Sequence, residues 1–167
     1  MTIQIRTAVP DDAEGVVAVF NPIIETGLYT IFDTPFTVEA ERAFIEGFHP
    51  RGVFHVAVNT ETEQIVGFQS MEPFAAYTGA LAHVGTIGTF VDLSQRRQGI
   101  AAALFAATFE AAKQKGYEKL FTFIRADNVT ALTVYMSRGF RIIGTAQRQA
   151  KINGRYVDEI LVERFLD

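Results

Sequence analysis

Two kinds of hydrophobic periodicity alternate along this sequence, and their order restricts the fold more than any other feature. Apolar residues at every second position predict β-strands, and apolar residues three and four apart predict helices. From the amino terminus, the patterns predict a strand, two helices, three strands, a helix, a strand, a helix and two strands. This order predicts a single α/β (α+β) domain over residues 1–167, in which helices cover a mixed sheet.

The same patterns locate the ends of the elements. The expected strands cover 3–7, 53–59, 64–71, 83–92, 119–125, 140–147 and 156–165. The expected helices begin near Asp11, Thr37, Gln98 and Asn128. Asp11 and Glu14 have the spacing of a capping box, and Pro22 is expected to end or bend the first helix.

The composition excludes several classes of protein. Hydrophobic residues make up 49% of the chain and charged residues 20%, a balance typical of a packed core rather than of a disordered chain. The net charge of −4 leaves no broad basic face for nucleic acid. The chain has no cysteine, which rules out disulfides and a cysteine acyl-enzyme.

Two further observations concern metals and membranes. The histidines His49, His55 and His83 lack the close spacing of metal ligands, so we expect no metal. No apolar run reaches the roughly 18 residues that cross a bilayer, and the first residues lack a signal-peptide pattern. We therefore expect a cytoplasmic protein without a membrane partner.

The most informative local motif lies between a β-rich segment and a helix, and it reads Arg96-Arg97-Gln98-Gly99-Ile100-Ala101. The first N–H groups of a helix lack intrahelical acceptors, and the helix dipole adds about half a positive charge there. Gly99 and Ala101 allow close approach to the backbone, and the two arginines add charge. The motif favours binding of a pyrophosphate, although arginines before a helix can also serve only to solvate a turn.

In this context the sequence resembles the GNAT superfamily of acetyl-CoA-dependent N-acetyltransferases. The family signature is Arg or Gln, two residues, Gly, one residue and then Gly or Ala, and Arg96, Gly99 and Ala101 match it. A second matching segment contains Asn128, Ala131, Leu132, Tyr135, Gly139 and Phe140. A weaker similarity points to the branch of phosphinothricin and related amino-acid N-acetyltransferases, and it is carried by Ile5-Arg6, Phe32-Asp33-Thr34-Pro35, Gly154 and Asp158. The resemblance implies a mostly antiparallel, twisted sheet of about seven strands flanked by about four helices.

The resemblance also implies acetyl-CoA as cosubstrate and assigns residues to it. The implied CoA-binding residues are Thr89, Phe90, Val91, Arg96, Arg97, Gln98, Gly99, Ile100, Ala101, Ala102 and Asn128. The backbone of the strand through Thr89 would pair with the pantetheine arm, and Tyr135 would protonate the departing thiolate. Asn128 and Tyr135 are seven residues apart and share one helix face. Alternatively, Asn128 only caps its helix and Tyr135 is a core aromatic.

The expected chemistry is direct attack of an amine on the thioester, since no cysteine can carry the acetyl group. A backbone N–H near Val91 would stabilise the oxyanion. The amine must first lose a proton, so a base or a water relay is expected.

The identity of that base is open. In the phosphinothricin branch a carboxylate commonly lies on the strand where this chain has Thr86, Ile87 and Gly88. Glu72 is the first substitute, although a solvated strand-end carboxylate is an equal interpretation. The other candidates are His83, as a base, and Asp158 and Glu159, as groups that hold a cationic amine.

The acceptor is expected to be a small amine. The residues expected to line its pocket are Phe32, Phe74, Tyr77, Thr86 and Ile87, although loop aromatics can equally cover the core or a dimer contact. The branch similarity favours an amino acid or an amino-acid-like toxin such as phosphinothricin or methionine sulfone or sulfoximine, and it suggests a homodimer. The alternatives are acetylation of protein or peptide α-amines, and an acyl-CoA-binding regulatory module without turnover.

Overall fold

The computed structural model describes every residue, Met1–Asp167. The seven strands are β1 Ile3–Thr7, β2 Val53–Asn59, β3 Gln64–Pro73, β4 Val84–Val91, β5 Lys119–Arg125, β6 Arg141–Ile152 and β7 Arg155–Phe165. The four α-helices are α1 Ala13–Thr26, α2 Val38–Glu46, α3 Ile100–Gln114 and α4 Val129–Ser137. The predicted order of strands and helices and the predicted fold class are confirmed.

One sheet contains all the strands, in the order β1-β2-β3-β4-β5-β7-β6. Every neighbouring pair is antiparallel except β4 and β5, which are parallel. The parallel pairing joins only 84–86 to 119–121. Beyond Thr86, β4 remains paired with β3 and β5 remains paired with β7. The two parallel strands therefore separate and leave a gap in the middle of the sheet.

Helices cover the two faces of the sheet and bury separate cores. On one face, Phe105 of α3 is fully buried and packs edge-on against Tyr135 of α4, with ring centroids 5.1 Å apart. On the other face, Phe20 of α1 packs against Phe68 of β3 and Phe90 of β4, with centroids 5.4 and 4.5 Å away. Burying a side chain of this size contributes roughly 1.5–3 kcal/mol. The two cores therefore hold α3 and α1 on opposite sides of β4, next to the gap.

The first helix lacks the predicted capping box of Asp11 and Glu14. The neighbouring residue, Asp12, occupies the cap position instead. Its carboxylate accepts a hydrogen bond from Val9 N at 2.8 Å and pairs with Arg6 at 2.7 Å. The prediction was wrong because this carboxylate ties the turn to β1, a contact that local spacing does not reveal.

Pro22 does not end α1, contrary to one of the two expected outcomes. The helix continues through Pro22 to Thr26, and Gly27, with a φ of 70°, follows its last residue. A proline inside a helix costs about 3 kcal/mol. Ile23 and Ile24 are both buried, and each contributes roughly 1.5–3 kcal/mol. Their burial therefore offsets the cost of the proline.

The remaining boundaries lie close to the predicted ones, with one exception in β6. Thr37 caps α2 as predicted, since its Oγ1 accepts a hydrogen bond from Ala40 N at 3.1 Å. Strand β6 runs five residues beyond the expected end at Gln147, because a register shift between Ala146 and Ala150 lets the strand resume its pairing with β7. No helix is both long and apolar enough to cross a membrane.

Candidate active site

The gap between β4 and β5 exposes backbone groups of β4. At the two ends of this strand, Val84 and Asp92 form backbone hydrogen bonds of 2.9 Å towards the β3 side. Backbone groups alternate in direction along an antiparallel strand, so these bonds show that the N–H and C=O groups of even-numbered β4 residues point towards β3. The N–H and C=O groups of Ile87, Thr89 and Val91 therefore face the gap, where they can bind an extended ligand.

A cavity of about 430 Å³ connects this gap with the amino end of α3. The predicted CoA-binding residues in its wall are Thr89, Phe90, Val91, Arg96, Arg97, Gly99, Ile100, Ala101, Ala102 and Asn128. The first backbone hydrogen bond of α3 runs from Ala103 N to Gly99 O at 3.1 Å, so the N–H groups of Ile100, Ala101 and Ala102 have no acceptor in the helix. Three free N–H groups at a helix start form a site that fits a pyrophosphate.

Gly99 keeps this site open. Its φ of 78° lies in the left-handed region, and no atom lies within 4 Å of the position a Cβ would take. A larger side chain would therefore strain the backbone and extend into free space beside the cavity. Glycine is therefore favoured at this position by the positive φ and by access of a ligand to the backbone, and not by close packing.

The two arginines before α3 differ in their surroundings. The Arg96 guanidinium lies 4.5 Å from the ring centroid of Tyr29, a cation–π contact with the loop after α1. Arg97 is exposed and has a φ of 64°. Gln98 is exposed and does not line the cavity, although it was predicted to bind the cofactor. The free N–H groups of Ile100, Ala101 and Ala102 form a cradle at the start of α3, and the two arginines precede it in the chain.

Tyr135 lies deep between α4 and the sheet. Its ring packs edge-on against Phe105 and Phe140, with centroids 5.1 and 5.0 Å away. Its hydroxyl lies 2.8 Å from Oγ1 of Thr89, on β4. Burial raises the pKa of Tyr135 to about 12, and the hydrogen bond with Thr89 opposes this only in part. The phenol is therefore protonated at neutral pH and can act as a proton donor.

Asn128 caps α4 and also holds the loop after α1. Its Oδ1 accepts a hydrogen bond from Ala131 N at 3.1 Å, and its Nδ2 donates one to Tyr29 O at 3.2 Å. The capping interpretation of Asn128 is thus correct. The residue also lines the cavity, and its predicted role in CoA binding stays a prediction.

A second cavity of about 290 Å³ opens on the other side of the gap. The two cavities adjoin, since six residues line both of them: Tyr29, Thr89, Phe90, Asn128, Ala131 and Tyr135. The sequence-predicted acceptor residues in its wall are Phe32, Glu72, Thr86 and Ile87. A donor entering from one side and an acceptor entering from the other would meet beside the same phenol.

Three charged side chains line the second cavity. Glu72 is exposed, whereas Glu159 and Arg125 are buried. Burial raises the pKa of Glu159, and the positive charge of Arg125 partly opposes the shift. Arg125 forms a salt bridge with Asp127 at 2.8 Å and donates hydrogen bonds to the backbone oxygens of the loop after α1.

The other candidates lie away from the second cavity. Tyr77 is 86% exposed, and Phe74 packs on Phe121 with ring centroids 5.4 Å apart. Neither residue belongs to the cavity wall, in contrast to the expectation, because the chain after β3 turns towards the amino end of β5. His83 is exposed at the opposite end of β4, and Asp158 accepts a hydrogen bond from Arg148 N at 2.8 Å.

Sequence reasoning missed three residues that the structure brings to the site. Tyr29 lines both cavities, and Arg125 anchors the loop that carries it. Gln69 of β3 is fully buried and donates a hydrogen bond from Nε2 to Thr89 Oγ1 at 2.8 Å. A polar side chain inside the largely apolar strand β3 was the available signal for Gln69, whereas Arg125, the last residue of β5, gave no such signal.

Comparison with known proteins agrees with this geometry. The chain matches the acetyltransferase (GNAT) domain model over residues 5–161. It is 22% identical over 170 residues to the L-methionine sulfoximine/L-methionine sulfone acetyltransferase of Pseudomonas paraeruginosa, with 100% of this chain and 96% of the relative covered.

Solved structures extend the likeness to three dimensions. An N-acetyltransferase from Staphylococcus aureus Mu50 superposes with a TM-score of 0.91 at 23% identity, over 100% of both chains. A GNAT superfamily phosphinothricin acetyltransferase from Sinorhizobium meliloti, solved in complex with acetyl-CoA, superposes with a TM-score of 0.88 at 18% identity and covers 99% of this chain and 89% of that chain. These two likenesses establish the shared fold. Because the domain model also matches nearly the whole sequence, the chain belongs to the acetyltransferase (GNAT) domain family.

Proposed function

We propose that the protein transfers an acetyl group from acetyl-CoA to the primary amine of a small molecule, an amino acid or an amino-acid-like compound such as methionine sulfone, methionine sulfoximine or phosphinothricin. The observation that carries the proposal is that two adjoining cavities share Tyr135 and Thr89 in their walls. The name of the Pseudomonas relative supports the choice of acceptor.

The first cavity is the donor site in this proposal. The free N–H groups at the start of α3 hold the pyrophosphate, with Arg96 and Arg97 supplying positive charge. The backbone groups of Thr89 and Val91 that face the gap form hydrogen bonds with the pantetheine arm, as they would with a neighbouring strand. The thioester then lies in the gap between β4 and β5.

The second cavity is the acceptor site, and the reaction is a direct attack in a ternary complex. The amine nitrogen forms a bond with the thioester carbon, and a backbone N–H of β4 near Val91 stabilises the resulting oxyanion. When the C–S bond breaks, Tyr135 gives its proton to the thiolate. The raised pKa of Tyr135 keeps that proton available at neutral pH.

We also propose a homodimer. Even-numbered residues of β5 and β7 face the core of α3 and α4, so by strand alternation the odd-numbered ones face away. Phe123 and Phe165 on that outer face are exposed, and Phe123 also lines the second cavity. Exposed aromatic residues suit a two-fold contact with a second copy, and a substitution by glutamate of Phe165, which lines neither cavity, tests it by sedimentation. We place the reaction in the cytoplasm because its donor is an intracellular metabolite.

The deciding experiment combines ligand-induced stabilisation with release of free thiol. Acetyl-CoA is expected to raise the melting temperature in proportion to the logarithm of its concentration. Release of CoA is then measured with methionine sulfone, methionine sulfoximine, phosphinothricin, the standard amino acids, polyamines and short peptides. The absence of cysteine keeps the background of a thiol assay low. Stabilisation without CoA release from any amine would instead indicate a non-catalytic acyl-CoA-binding module, and a preference for peptides would move the assignment to α-amines of proteins.

A further inference from the structure

Glu159 is a buried carboxylate without a partner in the protein. It lies in the middle of β7, its exposed fraction is 3%, and it lines the second cavity. It takes part in none of the salt bridges of the structure. A buried charge is costly unless it is paired, so an unpaired buried carboxylate at a ligand cavity indicates a group that meets its partner in the ligand.

The cation opposite Glu159 forms no salt bridge with it. Arg125 stands directly opposite on β5. Its Nε and Nη2 donate to the carboxylate of Asp127 at 2.9 and 2.8 Å. Its Nη1 donates to the backbone oxygens of Gly27 and Thr30 at 2.8 and 3.1 Å. Arg125 is thus committed to Asp127 and to the loop after α1, which leaves the oxygens of Glu159 available to the cavity.

We propose that Glu159 holds the acceptor ammonium in the second cavity and then takes its proton, so that this glutamate is the base missing from β4. The proposal rests on the function proposed above and deepens it. It predicts a cationic primary amine as the group that enters beside β7.

The surroundings of Glu159 fit this role. The titratable and charged groups that share the cavity are Glu72 of β3, Arg125 of β5, Tyr29 of the loop and Tyr135 of α4. On the other side, its register partner on β6 is the uncharged Ala146. Burial raises the pKa of the Glu159 carboxyl, which makes the carboxylate a stronger base than a solvated glutamate.

Glu72 is the competing base, and its position is less favourable. It lines the same cavity, but its side chain is exposed to solvent. Solvent screens the charge of an exposed carboxylate, so it gains little from pairing with an ammonium group. The structure therefore favours the buried glutamate over the one selected from the sequence.

The proton balance of the step is simple. The substrate R–NH₃⁺ gives one proton to the Glu159 carboxylate and becomes R–NH₂. The nitrogen then bonds to the thioester carbon, the C–S bond breaks, and the thiolate takes the proton of Tyr135. As the amide forms, the nitrogen loses its second proton, which restores the Tyr135 phenol, and Glu159 gives up the first proton to solvent. The net products are the acetamide, CoA–SH and one proton released to solvent.

The first test replaces Glu159 by glutamine and uses Glu118→Gln, an exposed carboxylate outside both cavities, as the matched control. For the best acceptor of the amine panel, Glu159→Gln is expected to lower kcat/KM about 100-fold or more, the usual range for loss of a general base. The acetyl-CoA-induced shift in melting temperature is expected to stay unchanged in both variants. Activity of Glu159→Gln within threefold of the parent, or a 100-fold loss in Glu72→Gln alone, would overturn the proposal.

The second test separates a base from a structural residue. In the parent, kcat/KM is expected to fall at acidic pH as Glu159 is protonated, and this part of the profile should be missing from the residual activity of Glu159→Gln. Methylamine is protonated at neutral pH, whereas methoxyamine of nearly the same size is neutral. Glu159→Gln should therefore impair acetylation of methylamine far more than that of methoxyamine, and an equal loss for both would argue against a base. If the parent protein acetylates no amine but binds acetyl-CoA, it is the proposed function that fails.

Discussion

Thr89 Oγ1 lies 2.8 Å from the Tyr135 hydroxyl and also accepts a hydrogen bond of 2.8 Å from Gln69. The amide nitrogen of Gln69 can only donate, and it donates to Thr89 Oγ1. The threonine hydroxyl still has its own proton and a second lone pair, so it can donate to the Tyr135 oxygen or accept from it. With Thr89 as the donor, the phenolic proton of Tyr135 is left free for the thiolate.

Thr89→Val is therefore expected to reduce kcat about fivefold, since one neutral hydrogen bond contributes about 1 kcal/mol. The KM for acetyl-CoA should change little, because the backbone of β4 is retained. Thr89→Ser keeps the hydroxyl and should keep the activity. In a Tyr135→Phe background the valine substitution should have no further effect, because both changes act on the same proton. Additive losses in the double variant would contradict this chain of hydrogen bonds.

Tyr135→Phe is expected to lower kcat about 100-fold while acetyl-CoA still stabilises the protein. Loss of a positioned acid has an effect of this order. The phenol has a pKa of about 12. It stays protonated below that value, so the parent should show no alkaline loss of activity from this group up to about pH 10. Tyr156→Phe, at an exposed tyrosine of β7, is the control. A decline of kcat near neutral pH that disappears in Tyr135→Phe would contradict the assignment.

Gly99 and Gly116 provide a matched pair at the two ends of α3. Both have positive φ, 78° and 88°, and at either glycine no atom lies within 4 Å of the position that a Cβ would take. Glutamate at either position should therefore cost a similar backbone strain of roughly 1–2 kcal/mol. Only Gly99→Glu places a negative charge at the cradle, so only this variant should lose the acetyl-CoA-induced rise in melting temperature. Equal ligand stabilisation in both variants would move the cofactor site elsewhere.

The sequence was sufficient for the features that depend on local patterns. Strand alternation and helical spacing are properties of neighbouring residues, which explains why the order of the elements was predicted correctly. The cradle at Gly99 was also local, since a helix start and its free N–H groups belong to one short segment. Pro22 shows where local rules fail, because the burial of Ile23 against the sheet decides whether the helix continues.

The acceptor side depends on contacts between distant residues. Glu159 is buried beside Arg125 only because of the register of β5 and β7, and that register cannot be deduced from a single sequence. For the same reason the sequence ranked Glu72, at a strand end, above Glu159. The aromatic residue Phe74 was expected in the pocket, and its contact with Phe121 of β5 was not visible locally.

Glu159→Gln is also expected to stabilise the fold, with a dependence on pH. Because burial raises the pKa of Glu159, the folded state holds this proton more tightly than the unfolded state. Its contribution to stability is fully present below the unfolded pKa of about 4.3 and is lost as the pH rises through the higher folded value. Glutamine cannot ionise, so this loss of stability is absent from the variant. The variant should melt at a higher temperature than the parent at about pH 8 and at the same temperature at about pH 4. Each kcal/mol of unfolding free energy changes the melting temperature by about 2–4 °C. Calorimetric scans at the two pH values check this, and Glu118→Gln should melt with the parent at both. A variant that is more stable yet nearly inactive would mark Glu159 as a residue kept for chemistry at a cost in stability, whereas a lower melting temperature at about pH 8 would show that the carboxylate has a structural partner.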